Sequence, residues 1–79
     1  MKQVLIALAQ SIVNKPEQVV VTESVEGDTE YLKLKVDESD LGKVIGKQGR
    51  IAKAVRTVVR AVANKENKRV IVDILENDD

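Results

Sequence analysis

The chain has 79 residues, carries 13 basic and 13 acidic side chains, and contains neither cysteine nor histidine. A domain of this length hides only about 60% of its unfolded surface, so we expect one small hydrophobic core. The missing residues exclude a disulfide framework, thiolate chemistry and the commonest general base and metal ligand. Because no pair of carboxylates stands out as acid and base either, we expect no enzyme, no metal site and no cofactor.

Hydrophobic segments are short throughout the chain. None of them approaches the roughly 18 apolar residues that a membrane span needs, so the sequence predicts a cytoplasmic protein without a membrane partner. Tyr31 is the single aromatic residue. This excludes the RNA-binding modules that stack bases on several exposed rings.

Charge is unevenly distributed although its sum is zero. Residues 1–40 hold four basic and eight acidic side chains, residues 41–69 hold nine basic and one acidic, and residues 70–79 hold four acidic and none basic. The central block is therefore the predicted anion-facing surface. A solvated Lys/Arg face on an ordinary helix remains the alternative interpretation of this block.

The first half of the chain predicts a helix and a β-hairpin. Apolar residues recur at helical spacing in residues 2–14, and Pro16 marks the end of that helix. Residues 18–25 are rich in β-branched side chains and residues 30–36 alternate between apolar and polar. Between them Glu26, Gly27 and Asp28 form a predicted turn, so we expect the two strands to pair antiparallel.

The second half predicts two helices and a strand. A short helix over residues 40–45 is separated by a loop from a long helix over residues 50–64, and a strand follows over residues 69–75. The 3.6-residue period predicts that the long helix buries one apolar face, made of Ile51, Val55, Val58, Val59 and Val62. Lys53, Arg56, Thr57 and Arg60 are expected on its other side, with Arg50.

These elements give an α+β fold in the order α-β-β-α-α-β. We expect a three-stranded sheet with three helices on one face, and a wet opposite face that carries Lys33 and Lys35, as antiparallel sheets permit. Residues 1–79 are predicted to form a single domain with a short acidic tail over residues 76–79.

The most specific segment is the loop Gly46-Lys47-Gln48-Gly49, which lies between two predicted helices. Glycine has no Cβ, so a phosphodiester backbone can come close to the peptide chain there. The first amides of the following helix have no partner within the helix and favour an anion. Lys47 and Arg50 add positive charge. A plain helix–turn–helix corner, with Gly46 as its cap, is the competing interpretation.

Other glycine-loop motifs do not match this segment. A Walker loop needs four residues between its glycines, whereas three separate Gly42 from Gly46, and it needs Ser or Thr where this chain has Gln48. The dinucleotide fingerprint G-x-G-x-x-G is absent as well.

The run from Val44 to Ile51 resembles the signature of the KH family of RNA-binding domains, in which one Ile precedes a G-x-x-G loop and a second Ile follows it. The element order resembles the bacterial type II version of that fold. In length and in residues 40–59, the chain is most similar to the bacterial KhpA (YlqC) family.

The resemblance implies that the backbone of Gly46, Lys47, Gln48 and Gly49 clamps about four unpaired nucleotides. It also implies that Val44 and Ile45 line one wall of an apolar groove for the bases. With the basic neighbours, the expected RNA-binding residues are Lys43, Val44, Ile45, Gly46, Lys47, Gln48, Gly49, Arg50 and Lys53.

The resemblance further implies an RNA chaperone or post-transcriptional regulator that acts with a second KH protein of the KhpB type and is linked to cell-wall homeostasis and cell length. A single domain with zero net charge is a weak RNA binder, which favours a partner or a homodimer. The alternatives are a dimerisation or protein-interaction module and a ribosome-assembly factor, each with a structural G-x-x-G loop.

Overall fold

The computed structural model describes residues 1–76, and the predicted tail beyond Glu76 lies outside the described residues. Three α-helices and three strands follow one another in the predicted order: α1 (Lys2–Ile12), β1 (Val20–Glu26), β2 (Thr29–Lys35), α2 (Leu41–Ile45), α3 (Arg50–Lys65) and β3 (Arg69–Ile74). Short 3-10 turns occupy Pro16–Gln18, Glu38–Asp40 and Lys47–Gly49. The predicted α+β class and element order are confirmed.

The sheet has the strand order β1-β2-β3. Strands β1 and β2 pair antiparallel across the two-residue turn Gly27-Asp28, with Glu26 opposite Thr29, as predicted. Strand β3 pairs with β2 in parallel, with Leu32 opposite Val72, so the sheet is mixed rather than of the antiparallel kind invoked for its wet face. The reason is the helical connection: α2 and α3 carry the chain back across one face before β3 begins, which is the usual crossover between parallel strands.

The core lies between the sheet and the three helices. Alternate residues of β2 and β3 face the helices, and Leu5, Leu32 and Val59 are fully buried there. The opposite sheet face is open, and Lys33 and Lys35 are exposed on it, as predicted. Helix α1 ends at Ile12, two residues earlier than predicted, because Val13 is extended and turns its side chain into the core.

Helix α3 is rotated from the predicted orientation: Val55 and Val59 are buried as predicted, but the other three predicted residues are not. Ile51 and Val58 are 39% and 44% exposed, and Val62 is only partly buried. The core contact is made by Ala52, Val55, Val59 and Ala63. The physical reason is size: two alanines let the helix backbone approach its neighbours closely, and this rotation turns the larger Ile51 and Val58 outward.

The buried side chain of Asp40 connects the segment after α1 to the start of α2. Its carboxylate is 1% exposed and accepts hydrogen bonds from the main-chain N–H groups of Asn14 at 3.1 Å and Lys15 at 2.9 Å. Lys43 lies 3.7 Å away and forms an ion pair with it. The bonds hold the segment after α1 against the start of α2, so they fix where α2 and the loop behind it sit. Asp40 directly precedes α2, but its side chain makes no capping bond to that helix.

Candidate nucleic-acid interface

The loop between α2 and α3 adopts a backbone that only a few residue types allow. Gly46 has φ 76° and ψ 175°, Gln48 has φ 57° and ψ 27°, and Gly49 has φ 74° and ψ 14°. The Gly46 conformation is open almost exclusively to glycine. A Cβ at Gly46 would also lie 2.8 Å from the Cβ and 2.9 Å from the main-chain nitrogen of Ile51. Gly46 is thus required for both conformation and space, whereas Gly49 is required for conformation alone.

Hydrogen bonds within the loop leave some of its amides unused. The Gly46 N–H bonds to the Gly42 carbonyl at 2.8 Å, and the Gly49 N–H bonds to the Gly46 carbonyl at 3.2 Å. Lys47 and Gln48 are the central residues of the turn that this second bond closes, so their N–H groups have no partner inside the turn. Amides of this kind on a tightly curved backbone form an anion-binding concavity.

The N-terminus of α3 presents a second set of amides beside the loop. No side chain caps this helix end, and its first turn contains no acidic residue. Instead, exposed Arg50 and Lys53 lie in that turn. Cations at a helix N-terminus oppose the helix dipole and cost stability. An anion bound here would reverse this cost, because it interacts favourably with the amides and with both cations.

The predicted site residues have different environments. Lys47, Gln48, Arg50 and Lys53 are exposed, whereas Ile45, Gly46 and Gly49 are partly buried. Lys43 is exposed but already lies beside Asp40, which offsets part of its charge. Val44 is 1% exposed and its side chain lies in the core, where it supports the loop from beneath. The Arg50 guanidinium and the Gln48 side-chain oxygen are 3.5 Å apart.

The edge of β3 packs beside α3 and was not identified from the sequence. The Leu75 N–H bonds to the Leu34 carbonyl of β2 at 2.8 Å. Since alternate residues of a parallel strand face the partner strand, the main-chain groups of Val70, Val72 and Ile74 point away from β2. The Val72 carbonyl indeed accepts a hydrogen bond from Nε of Arg56 at 3.2 Å.

Arg56 therefore joins α3 to the free edge of the sheet. It is partly buried, unlike its exposed neighbour Lys53. The sequence identifies Arg56 only as a member of the basic face of α3. Its bond to Val72 depends on how α3 lies against β3, which the sequence alone does not determine. The candidate site therefore combines the loop and its free amides with the edge of β3, which pairs with no further strand among residues 1–76.

Two further surface features accompany the loop. A groove of about 370 Å³ lies between α1 and α3 and is almost wholly apolar, with Leu8, Ile12, Ile51 and Val58 among its lining residues. Within residues 1–76 no group of acidic side chains is arranged to hold a metal ion. None of the helices in that range is long and apolar enough to cross a membrane.

One ionisable group among the described residues, Asp37 before α2, has a shifted pKa. The Ser39 hydroxyl, 2.6 Å from the Asp37 carboxylate, holds the pKa of Asp37 below its ordinary value, and the Ser39 N–H and Lys15 act in the same direction. This cluster precedes α2 and stabilises the turn from which the helix starts. None of its bonds involves a residue of the loop, so it is a structural feature of the fold.

Comparison with protein families identifies one that spans nearly the whole chain. Residues 2–74 match the model of the family described as KhpA/KhpB, KH domain. The RNA-binding protein KhpA of Clostridium perfringens is 56% identical over 75 residues, which cover 95% of this chain and all of that protein. KhpA of Aquifex aeolicus is 47% identical over 77 residues, with 96% of each chain covered.

Solved structures provide an independent comparison of the fold. A crystal structure of Aquifex aeolicus Era bound to GDP and aluminium fluoride superposes with a TM-score of 0.69 at 17% identity. It covers 95% of this chain but only 29% of the Era chain. Era in complex with MgGDPNP and a segment of 16S ribosomal RNA superposes with a TM-score of 0.68 at 18% identity, covering 92% and 28% of the two chains. At these identities the likeness concerns the fold alone.

Proposed function

The chain belongs to the KhpA/KhpB family of KH domains, and from this premise we propose that it binds single-stranded RNA through the loop Gly46–Gly49. The observation that carries the proposal is the loop backbone, with positive φ angles at Gly46, Gln48 and Gly49 immediately before an uncapped helix. Similarity to relatives named RNA-binding protein KhpA supports it.

The proposed clamp works through main-chain amides and nearby cations. Phosphates of about four unpaired nucleotides lie along the loop and the first turn of α3. Lys47, Arg50 and Lys53 supply charge, and Gln48 donates hydrogen bonds without selecting a base. Lys43 contributes less, because it shares its charge with Asp40. Binding of this kind is sensitive to salt, since each phosphate contact releases counterions.

The proposed base-binding surface lies beside the clamp. Ile45 supplies aliphatic contact, and the outward main-chain groups of β3 supply hydrogen bonds to base edges. Val44 acts by packing beneath the loop, because its side chain lies in the core. With one aromatic residue in the whole chain, bases are held without the ring stacking that strengthens other single-strand binders.

The decisive variant is Lys47→Asp combined with Gln48→Asp, which puts two carboxylates where phosphates are proposed to sit. We expect RNA binding to be lost while the fold survives, because both side chains are exposed. Binding is measured by fluorescence anisotropy with a short unpaired RNA, and folding by circular dichroism. The matched control is Lys33→Asp with Lys35→Asp on the open sheet face. Unchanged binding in the loop variant refutes the site.

Weak binding by one small domain favours a cellular role with a partner. We assign the chain to RNA chaperoning or post-transcriptional regulation in the cytoplasm, as a single KH domain over residues 1–79 that acts by binding rather than catalysis. The proposed partner is a second KH protein of the KhpB type, and the proposed cellular outcome is cell-wall homeostasis and control of cell length. A second linked site raises avidity without any new contact in this domain.

A protein-interaction role is the second candidate, favoured by the apolar groove between α1 and α3. Ile51 and Val58 are exposed at its rim although both are large aliphatic side chains. A second copy of the chain covering this groove would form a homodimer. The test is sedimentation of the wild type and of Val58→Glu, with exposed Thr57→Glu as the control. A ribosome-assembly role is distinguished by co-sedimentation with ribosomal particles.

A further inference from the structure

A second basic cleft lies at the opposite end of α3 from the loop. It has a volume of about 520 Å³ and is lined by three cations, Arg60, Lys68 and Arg69, and by one carboxylate, Asp28. The amides Asn64 and Asn67 also line it. The cations come from three different elements, a helix, a turn and a strand, and converge on one concave surface.

We infer that this cleft is a second phosphate site, which takes the backbone of the RNA strand after it has left the Gly46–Gly49 loop. The inference rests on the proposed function and extends the same binding surface. It assigns to Arg60, Lys68 and Arg69 a role in RNA length preference.

The two ends are joined by a continuous basic flank. Lys53, Arg56 and Arg60 follow one another at helical spacing on one flank of α3, where Arg56 bonds to the Val72 carbonyl of β3. Ten residues separate Arg50 from Arg60 on α3, which corresponds to about 15 Å along the helix axis. A strand clamped at the loop therefore has a positively charged path of several nucleotides to the cleft.

Two cations of the cleft, Lys68 and Arg69, follow a turn that is closed by main-chain hydrogen bonds. The Lys68 N–H bonds to the Ala63 carbonyl at 3.0 Å, and the Asn67 N–H bonds to the Asn64 carbonyl at 3.1 Å. Asn67 takes the left-handed conformation with φ 57°. Because this turn is closed by its own main chain, Lys68 and Arg69 start from a fixed position, which lowers the entropy lost on binding.

Two features of the cleft oppose an anion: the C-terminal end of α3 and the Asp28 carboxylate. The C-terminal end of a helix carries partial negative charge, and cations near it are favourable in their own right. That explanation applies to the last turn of α3, whose basic residue is Lys65, and not to Arg60, which lies more than one turn earlier. Lys68 pairs with Glu66 at 3.8 Å, whereas Arg60 and Arg69 form no ion pair within residues 1–76. The two arginines thus remain available for a phosphate.

The test compares an RNA of about four nucleotides, which fills the clamp alone, with one of twice that length. Replacing the cleft arginines in Arg60→Gln with Arg69→Gln should weaken binding of the longer RNA at least about tenfold. For the longer RNA, the slope of the logarithm of the binding constant against the logarithm of salt concentration should become shallower by about 0.7 for each phosphate contact removed. Affinity for the shorter RNA should stay within about twofold. The control, Lys33→Gln with Lys35→Gln, should leave both affinities unchanged.

A gain-of-binding variant removes any ambiguity from misfolding. Asp28→Asn deletes the one carboxylate of the cleft and should strengthen binding of the longer RNA about threefold, with no effect on the shorter one. Equal losses for both RNAs in the arginine variant, or no loss for the longer RNA, overturn the second site while the loop clamp stands. Loss of the clamp itself is reported separately by Lys47→Asp with Gln48→Asp. Inorganic phosphate that saturates the cleft without displacing the longer RNA also overturns the assignment.

Discussion

Replacing Gly46 with alanine tests whether the loop backbone is held by sterics. Its φ of 76° and ψ of 175° belong to a region that costs a residue with a Cβ about 1–3 kcal/mol. The new Cβ would stand 2.8 Å from the Cβ of Ile51 and 2.9 Å from its main-chain nitrogen. The nitrogen belongs to α3 and cannot yield as a side chain does, so overpacking adds about 1–3 kcal/mol.

The total cost of Gly46→Ala is then about 2–6 kcal/mol, against a free energy of unfolding of about 4–12 kcal/mol for a chain of this length. The matched control is Gly49→Ala. Gly49 also has a positive φ, 74°, but no atom lies within 4 Å of its added Cβ. Only the backbone cost of about 1–2 kcal/mol applies there.

Urea denaturation followed by circular dichroism measures both variants, and thermal melting checks them, since 1 kcal/mol corresponds to about 4–8 °C in a domain this small. The double variant Gly46→Ala with Ile51→Ala should recover only part of the loss, because the Ile51 nitrogen and Cβ remain. If Gly46→Ala costs no more than Gly49→Ala, the close approach of the loop to α3 does not constrain Gly46 and the reasoning fails.

Three further perturbations have defined outcomes. Asp40→Ala removes a buried acceptor from two main-chain N–H groups and should lower the free energy of unfolding by about 3 kcal/mol in urea denaturation. A loss below about 1 kcal/mol contradicts the proposed role of Asp40 in joining the segment after α1 to α2. Ser39→Ala should raise the pKa of Asp37 toward its ordinary value in an NMR titration, because the hydroxyl is the largest cause of the lowered pKa. Since the folded-state pKa is lowered, the stabilisation from Asp37 is present above the ordinary Asp pKa of about 3.9 and is lost as the pH falls through the lowered value. If the pKa of Asp37 is the same in the variant as in the wild type, the attribution to Ser39 is refuted. Arg56→Ala should cost about 1 kcal/mol and speed amide exchange along β3, because the Val72 carbonyl loses its partner; exchange equal to that of the wild type means that Arg56 does not secure the strand edge.

The order and type of the elements followed from local patterns. Apolar residues at 3.6 spacing predicted α1 and α3, and alternation predicted β2 and β3, within two residues of their observed ends. These signals are reliable because side-chain direction repeats with the backbone period whatever lies beyond the element. The G-x-x-G loop was also visible locally, because two glycines between predicted helices indicate a backbone that other residues adopt only with difficulty.

The rotation of α3 was not visible in the sequence. Its valines and Ile51 suggested one apolar face, but the core contact belongs to Ala52, Val55, Val59 and Ala63. A helix with apolar residues around more than half its circumference allows several rotations, and the shape of the layer beneath selects one. That choice exposed Ile51 and Val58 and opened the apolar groove toward α1.

By itself the sequence determined the elements, their order, the loop and the basic block, because each depends on neighbours within a few residues. Only the tertiary structure decided that β3 runs parallel to β2, that Asp40 secures the end of α1, and that Arg56 reaches Val72. It also brought Arg60, Lys68 and Arg69 to one cleft. These relations join residues from separate elements, and their geometry depends on how the helices settle on the sheet as a packed whole.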